Sequence, residues 1–207
     1  MKVIRFYLLA IFLTITSIGY AQFTNTSSKS SYSGGGSDGW VATWAEYNPI
    51  KLELSNVERS LTGYSVGASY AFGVSQSSPL LLEAGVGIQY ASGTDSKYAY
   101  STIDLFSLKV PVNFLYGIEM SDGRVTLYPF AGITFRYNFT SSFYSNNDTL
   151  DMFDDLDGNR FQPCWQLGAK VLFAEYFMIG VSFGRDLTEI AEDANIRTTS
   201  ILIGYTF

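Results

Sequence analysis

The chain ends with Ser200-Ile201-Leu202-Ile203-Gly204-Tyr205-Thr206-Phe207, in which two kinds of side chain alternate. Successive side chains of a β-strand point to opposite faces, so Ile201, Ile203, Tyr205 and Phe207 share one face. The other face carries mostly small or hydroxylated residues. The stretch therefore predicts a strand with one apolar face that ends in aromatic rings.

Similar alternation recurs along most of the chain and predicts seven further strands. They lie near residues 40–47, 64–72, 82–90, 106–117, 125–139, 165–173 and 177–184. The first of these has a blurred pattern, and Pro49 is expected to end it. In the others an apolar, aromatic-rich face is opposed by glycine, serine and a few long polar side chains, so all eight strands would belong to one structure.

The composition of the two faces predicts which one points outward. A strand face that meets water would carry more lysine, glutamate and threonine, whereas glycine and serine suit a narrow lumen. An apolar outer band around a polar interior is typical of a transmembrane β-barrel. Strands of about 9–12 residues fit a tilted bilayer crossing, and closure satisfies every backbone group in lipid. The sequence thus predicts an all-β, eight-stranded antiparallel up-and-down transmembrane β-barrel.

The connections alternate in length and give independent support. Those predicted to be short are residues 75–79, 119–124 (with the turn Asp122-Gly123) and 174–176. Those predicted to be long are residues 48–60, 92–101, 141–160 and 186–197. All long connections would lie at one end, as expected for short periplasmic turns and longer extracellular loops.

The first residues have the design of an export signal. Lys2 and Arg5 precede an apolar run of about twelve residues, and small residues lead up to Ala21. The run is short of the roughly 20 residues of a spanning helix, which disfavours a retained anchor. We therefore expect a signal peptide at 1–21, a flexible segment at 22–38, a barrel domain at 39–207 and a location in the outer membrane.

Several kinds of chemistry are excluded or disfavoured. The chain has no histidine and one cysteine, Cys164, which excludes a Ser-His-Asp hydrolase, His-ligated zinc and an internal disulfide. Its net charge of −6 argues against a nucleic-acid partner. No cofactor and no enzymatic activity are expected, apart from the remote case of a carboxylate-only mechanism in the loops.

The predicted inner faces carry four charged residues, Glu83, Lys109, Arg136 and Lys170. A lone buried charge is costly, so we expect these side chains to pair across the barrel. An eight-stranded barrel is just wide enough for side chains to fill it. The sequence favours an internal polar network, with a conducting pore as the alternative.

The longest connection is acidic, and Asp151, Asp154, Asp155 and Asp157 are weak candidates for a hard cation such as Ca²⁺. The spacing fails the EF-hand pattern, because Phe153 would occupy the first ligand position. A solvated acidic loop is the preferred interpretation, and residues 189–193 are interpreted likewise. Apolar residues of the same loop, including Phe153, could form a surface for an unknown protein partner or pack onto the barrel rim.

Four motifs resemble the small outer-membrane β-barrel family common in Bacteroidetes, sometimes called PorT-like. They are Leu105-Phe106-Ser107-Leu108-Lys109-Val110-Pro111-Val112, Pro129-Phe130-Ala131-Gly132, Ile203-Gly204-Tyr205-Thr206-Phe207 and Tyr20-Ala21-Gln22. The resemblance implies fold and location but supplies no catalytic residues. It also implies that Tyr205 and Phe207 form a signal recognised by the barrel-assembly machinery.

The leading functional hypothesis is a structural or surface-interaction protein with a filled lumen, in contact with outer-membrane lipid and lipopolysaccharide. Passage of a small solute and an accessory role in a secretion system are the alternatives. The structural competitor is a soluble lipocalin-like barrel, in which the apolar faces would point inward around a ligand.

Overall fold

The computed structural model describes residues 39–54, 57–75, 78–95, 101–120, 124–145, 148–151, 153–154, 158–190 and 194–207. The predicted signal peptide at 1–21, the segment 22–38 and the turn Asp122-Gly123 lie outside these residues. Within the described part, no helix has the length and apolar character needed to cross a membrane.

Ten strands run through the described residues. They are β1 (Trp40–Leu54), β2 (Val57–Gly73), β3 (Leu80–Asp95), β4 (Ser101–Tyr116), β5 (Ile118–Met120), β6 (Val125–Ser145), β7 (Asp148–Asp151), β8 (Phe161–Phe173), β9 (Phe177–Asp186) and β10 (Ala194–Thr206).

Eight of these strands form a closed antiparallel ring. β1 to β4 pair in sequence, β4 pairs with β6, and β6, β8, β9 and β10 continue the ring until β10 pairs with β1. The short β5 and β7 both add to β6. The predicted eight-stranded antiparallel up-and-down barrel is confirmed.

The stagger of the strands sets the tilt of the barrel. Paired residues followed once around the ring from Lys51 lead back to Val41, ten residues earlier on the same strand. With eight strands, this stagger corresponds to a tilt of about 40° to the barrel axis. Each step from strand to strand therefore lowers the paired position by about 3 Å along that axis.

The prediction that Pro49 ends the first strand is wrong, because β1 continues to Leu54. The pairing of β1 with β10 skips Asn48 and Pro49, while the pairing with β2 runs on without a break. Proline lacks a backbone NH, so it weakens one ladder and leaves the other in place. The predicted loop at 48–60 is instead a hairpin between β1 and β2.

Other predicted long connections are likewise partly strand. β3 extends to Asp95, β4 begins at Ser101, and β6 reaches Ser145 before the short β7 follows. The strands therefore project further at the end with long connections than the alternation pattern predicted. The connections after β2 and β8 are short, as predicted. The predicted sorting of lengths is wrong for the connection between β1 and β2, where two residues separate the strands because both extend into the predicted loop.

The outward and inward faces agree with the sequence pattern. Exposed apolar residues occupy the predicted outer positions, as at Tyr64 (60% exposed), Val181 (56%) and Ile203 (61%). One irregularity interrupts β6, where the register with β4 shifts and both Phe139 and Thr140 are exposed. This bulge changes which positions face inward beyond it.

The last strand closes the ring against the first. Thr206 pairs with Ala42, and the backbone NH of Phe207 donates to the carbonyl oxygen of Val41 at 2.9 Å. The predicted closure of the final strand on the first is thus confirmed.

Candidate functional site: the barrel interior

The interior consists of a polar middle between two apolar clusters. The cluster at the short-turn end contains Trp40, Ala42, Trp44, Ala71, Leu81, Leu115, Tyr128, Phe130, Leu172, Met178 and Leu202. The cluster at the other end contains Ile50, Leu52, Leu61, Ala91, Ile103, Leu105, Phe153, Ile190 and Ile196. The predicted polar interior therefore holds only for the middle, because both ends pack like the core of a soluble protein.

Glycines on the inner face make room for aromatic rings. A Cβ at Gly67 or at Gly87 would overlap the indole of Trp44. A Cβ at Gly168 would lie 2.8 Å from Cζ of Phe130. The small residues that suggested a narrow lumen thus make room for large side chains of nearby strands, since Trp44 and Phe130 lie directly opposite Gly67 and Gly168 on the paired strands.

Glu83 and Lys170 form the most connected ion pair of the interior. Lys170 Nζ lies 2.6 Å from both carboxylate oxygens of Glu83. Ser69 Oγ and Asn113 Nδ2 also donate to this carboxylate, at 2.9 and 2.8 Å. The pair joins β3 to β8, which are not neighbours, so it links opposite sides of the barrel.

A second pair joins β4 to β1. Lys109 Nζ lies 2.6 Å from Oε2 of Glu46, which also accepts a hydrogen bond from Ser65 Oγ at 2.8 Å. Asn48 Nδ2 donates to the same serine oxygen at 2.8 Å, and Ser200 Oγ donates to Asn48 Oδ1 at 2.7 Å. The network therefore reaches the strand β10 that closes the ring.

A third pair joins β6 to β9 with looser geometry. Arg136 Nη1 lies 3.4 Å from Oδ2 of Asp186. The single cysteine, Cys164, is buried directly opposite Asp186 in the register of β8 and β9. Among the described residues, three ion pairs of the interior thus connect strands that are not adjacent in the ring.

The predicted set of Glu83, Lys109, Arg136 and Lys170 lies entirely inside the barrel, but only Glu83 and Lys170 pair with each other. Lys109 and Arg136 pair with Glu46 and Asp186, which the sequence prediction missed. Glu46 lies on the strand with blurred alternation, and Asp186 was assigned to a loop. Charge balance could have predicted them, because the predicted inner set has one acidic and three basic residues, and buried charges need partners. Two further acidic residues were therefore to be expected on the inner faces.

The side chains leave little free space between them. The cavity beside Glu83, Lys109 and Lys170 has a volume of about 20 Å³, which is room for roughly one or two water molecules. Trp44 and Phe130 border it from the short-turn end. Large side chains and ion pairs thus surround this cavity in the polar middle of the barrel.

Two loop residues close the opposite end. Phe153 and Ile190 are 6% and 1% exposed and belong to the apolar cluster there. The interpretation of residues 189–193 as solvent-facing is therefore wrong for Ile190. Of the two alternatives for Phe153, packing onto the barrel is the one observed.

The acidic loop is organised by hydrogen bonds at its described positions. Asp151 Oδ1 accepts from the backbone NH groups of Phe153 and Asp154, at 2.8 and 3.3 Å. Asp154 pairs with Arg160, and this hydrogen bond raises the pKa of the guanidinium. The other two cation candidates, Asp155 and Asp157, lie outside the described residues. No group of three or more potential metal ligands is found in the described part of the chain.

The predicted assembly residues lie together on the outer wall at the short-turn end. Tyr205 and Phe207 are 40% and 58% exposed, with ring centroids 5.1 Å apart. Tyr205 also contacts Tyr176 and Phe177, at 6.0 and 5.6 Å. Their role as a signal for the assembly machinery stays a prediction.

A closed antiparallel ring with an apolar outer wall has the architecture of a transmembrane β-barrel. The outer membrane protein beta-barrel domain family matches residues 10–207, and the chain belongs to this family. It is therefore an outer-membrane β-barrel protein. No curated protein matches the chain significantly.

Solved structures with a similar fold include proteins of different kinds. Ail, the attachment invasion locus protein of Yersinia pestis, is 13% identical with a TM-score of 0.53, over 82% of this chain and 99% of Ail. The outer membrane enzyme PagL is 17% identical with a TM-score of 0.52, over 79% of this chain and 97% of PagL. Neisserial surface protein A is 12% identical with a TM-score of 0.50, over 81% and 97%. Identities this low show a shared fold alone.

Proposed function

We propose that this protein is a non-conducting outer-membrane barrel whose function is carried by the surface at its long-connection end. The observation that carries the proposal is the filled interior. Two apolar clusters and three ion pairs occupy it, and the cavity among the charges is only about 20 Å³. A solute could pass only after both apolar clusters and the charged belt had been rearranged.

The same end of the barrel carries an ordered surface made of extended strands and anchored loops. β1, β2, β3, β4 and β6 all extend beyond their predicted ends there, and the loop residues Phe153 and Ile190 are anchored inside. Anchored loops present a defined surface at low entropic cost, which favours recognition. A structural or surface-interaction role is the function that this arrangement supports best.

Conductance in planar lipid bilayers tests the sealed interior. The wild-type protein should give no discrete, reproducible current steps, while a general porin inserted by the same procedure should. Reproducible channels from the wild-type barrel would overturn the proposal in favour of solute passage, the alternative function.

Complementation of a gene-deletion strain tests where the function resides. A chain with residues 148–158 replaced by a Gly-Ser linker of equal length should fold but fail to restore the deletion phenotype. The interior variant E83M/K170M should restore it. The reverse result would place the function in the interior, and heat-dependent migration on gels would show that both variants fold.

The narrower affiliation with PorT-like barrels of Bacteroidetes is also a proposal, supported by the motifs around Lys109, Pro129 and Tyr205. It makes an accessory role in secretion the second candidate. Gene neighbourhood tests this, since a gene far from any secretion operon would count against it. We propose no catalytic activity, because the chain has no histidine; PagL shows that the fold itself also occurs in an enzyme.

A further inference from the structure

Three cations stand in register on the outer wall, and we call them the basic row. Lys51 lies opposite Arg197 in the register of β1 and β10, and Arg197 lies opposite Arg185 in the register of β10 and β9. Strand alternation directs all three outward. The side chains of Lys51, Arg185 and Arg197 are 57%, 42% and 41% exposed. The row therefore presents its charges to whatever surrounds the barrel along a line that descends by about 3 Å from one strand to the next.

In the described part of the chain, two carboxylates, Glu58 and Glu53, stand against the three cations of the basic row. Lys51 Nζ lies 2.5 Å from Oε1 of Glu58. Among the described residues, Glu53 is the carboxylate that serves both guanidinium groups, at 3.0 Å from Arg197 and 3.7 Å from Arg185. Like charges directly opposite each other on neighbouring strands are destabilising, so one shared carboxylate leaves a net positive charge on this arginine pair. A further anion would stabilise the pair.

The basic row lies just above the apolar band of the same strands. Phe183 and Ile201 lie two and four residues below the arginines on β9 and β10 and are 39% and 48% exposed. Trp165 is paired with Arg185 on the neighbouring strand. A lipid whose anionic head group lies next to the row would thus have its acyl chains in contact with these apolar side chains.

We propose that the basic row binds the phosphate group of an outer-leaflet lipid, whose acyl chains lie along the apolar band below. Arginine is suited to phosphate because its planar fork donates two parallel hydrogen bonds to one oxyanion. The row lies on the lipid-facing wall, which favours a lipid over a soluble phosphate or a protein carboxylate. The proposal rests on the outer-membrane location and is independent of the sealed interior.

The test is native mass spectrometry of the detergent-solubilised protein with diphosphoryl lipid A as the probe. R185Q/R197Q should lower lipid A binding by at least about tenfold, since hydrogen bonds to charged groups contribute that much. The matched control R124Q changes an exposed arginine at the opposite end and should bind like the wild type. Heat-dependent gel migration shows whether each variant folds.

A second variant tests the same proposal with the opposite sign. E53Q removes the carboxylate that competes with the phosphate, so lipid A binding should rise by about threefold or more. Fully dephosphorylated lipid A should bind weakly to all variants, and an equal concentration of inorganic phosphate should not displace the lipid. Any of four results would overturn the proposal. The folded variant R185Q/R197Q binds lipid A like the wild type, or E53Q binds it more weakly. Alternatively, the dephosphorylated lipid binds as well as lipid A, or inorganic phosphate displaces the lipid.

Discussion

The two faces of the same strands follow different rules. On β3 the outward residues Ala84, Val86, Ile88 and Tyr90 are all apolar or aromatic, and any of them meets lipid equally well. The inward residues have individual partners: Glu83 pairs with Lys170, and Gly87 makes room for the ring of Trp44. Each outward residue needs only to be apolar enough for lipid, whereas each of these inner residues needs a particular partner on another strand.

The largest effect should come from breaking one partner of the polar middle. K170M leaves the Glu83 carboxylate buried without its cation, because the side chains of Lys170 and Glu83 are 6% and 2% exposed. Breaking a buried pair from one side costs about 3–5 kcal/mol. Urea unfolding in lipid vesicles should show this loss in the free energy of unfolding.

The double variant E83M/K170M is the matched control for that loss. Replacing both partners by apolar residues removes the uncompensated charge, so most of the stability should return. If the double variant is as unstable as K170M, the two residues are not coupled and the cross-barrel pairing has no energetic role.

The outer face should tolerate exchange of apolar residues but not a charge at mid-depth. Ile133 is 39% exposed on β6 and lies four register steps around the barrel from Lys51, which places it near the middle of the span. I133R should cost about 2–4 kcal/mol of unfolding free energy, and V110R likewise on β4.

Depth provides the control for the charge test. Ile118 is 41% exposed on β5, next to the short-turn end. The same substitution there, I118R, should cost only about 0–1 kcal/mol, because arginine reaches the interface. Equal losses at Ile133 and Ile118 would mean that the apolar wall does not span a bilayer as described.

This contrast explains what the sequence could predict about the fold. Alternation alone identified the outer residues and the eight strands of the ring, because lipid imposes one rule on every outward position. Alternation did not predict the strand ends, since Pro49 interrupts only one hydrogen-bond ladder and the bulge at Phe139 shifts the alternation.

The interior was less predictable for a physical reason. Glu83 and Lys170 were both predicted to face inward, but which acid meets which base depends on the stagger of non-adjacent strands, and β3 and β8 are 87 residues apart at this contact. The layered core likewise depends on loop residues such as Phe153, whose burial no local pattern records.

Substituting a glycine that makes room for an aromatic ring should have an intermediate effect on the free energy of unfolding. G87A adds a Cβ that would overlap the Trp44 indole and approach the carbonyl oxygen of Val66 at 2.7 Å. Overpacking of this kind costs about 1–3 kcal/mol. The control G180A adds the same methyl group 3.1 Å from Cγ of the flexible Lys170 side chain, so its loss of unfolding free energy should be smaller. Equal losses would show that loss of glycine, and not the ring contact, is responsible.

The smallest effect should come from a turn that belongs to neither face. Ala174 and Glu175 connect β8 to β9 with φ angles of 49° and 68°, and the NH of Tyr176 donates to the carbonyl oxygen of Phe173 at 3.1 Å. Tight turns whose two central residues both have positive φ angles favour Asn-Gly, because a Cβ is strained there. E175G should therefore raise the free energy of unfolding by about 0.5–1 kcal/mol. A174V should lower it, because a β-branched residue is strained further at positive φ.

Neither substitution changes the outer wall or the ion pairs, so lipid A binding and conductance should stay at wild-type values. The urea midpoint should move in opposite directions for the two variants.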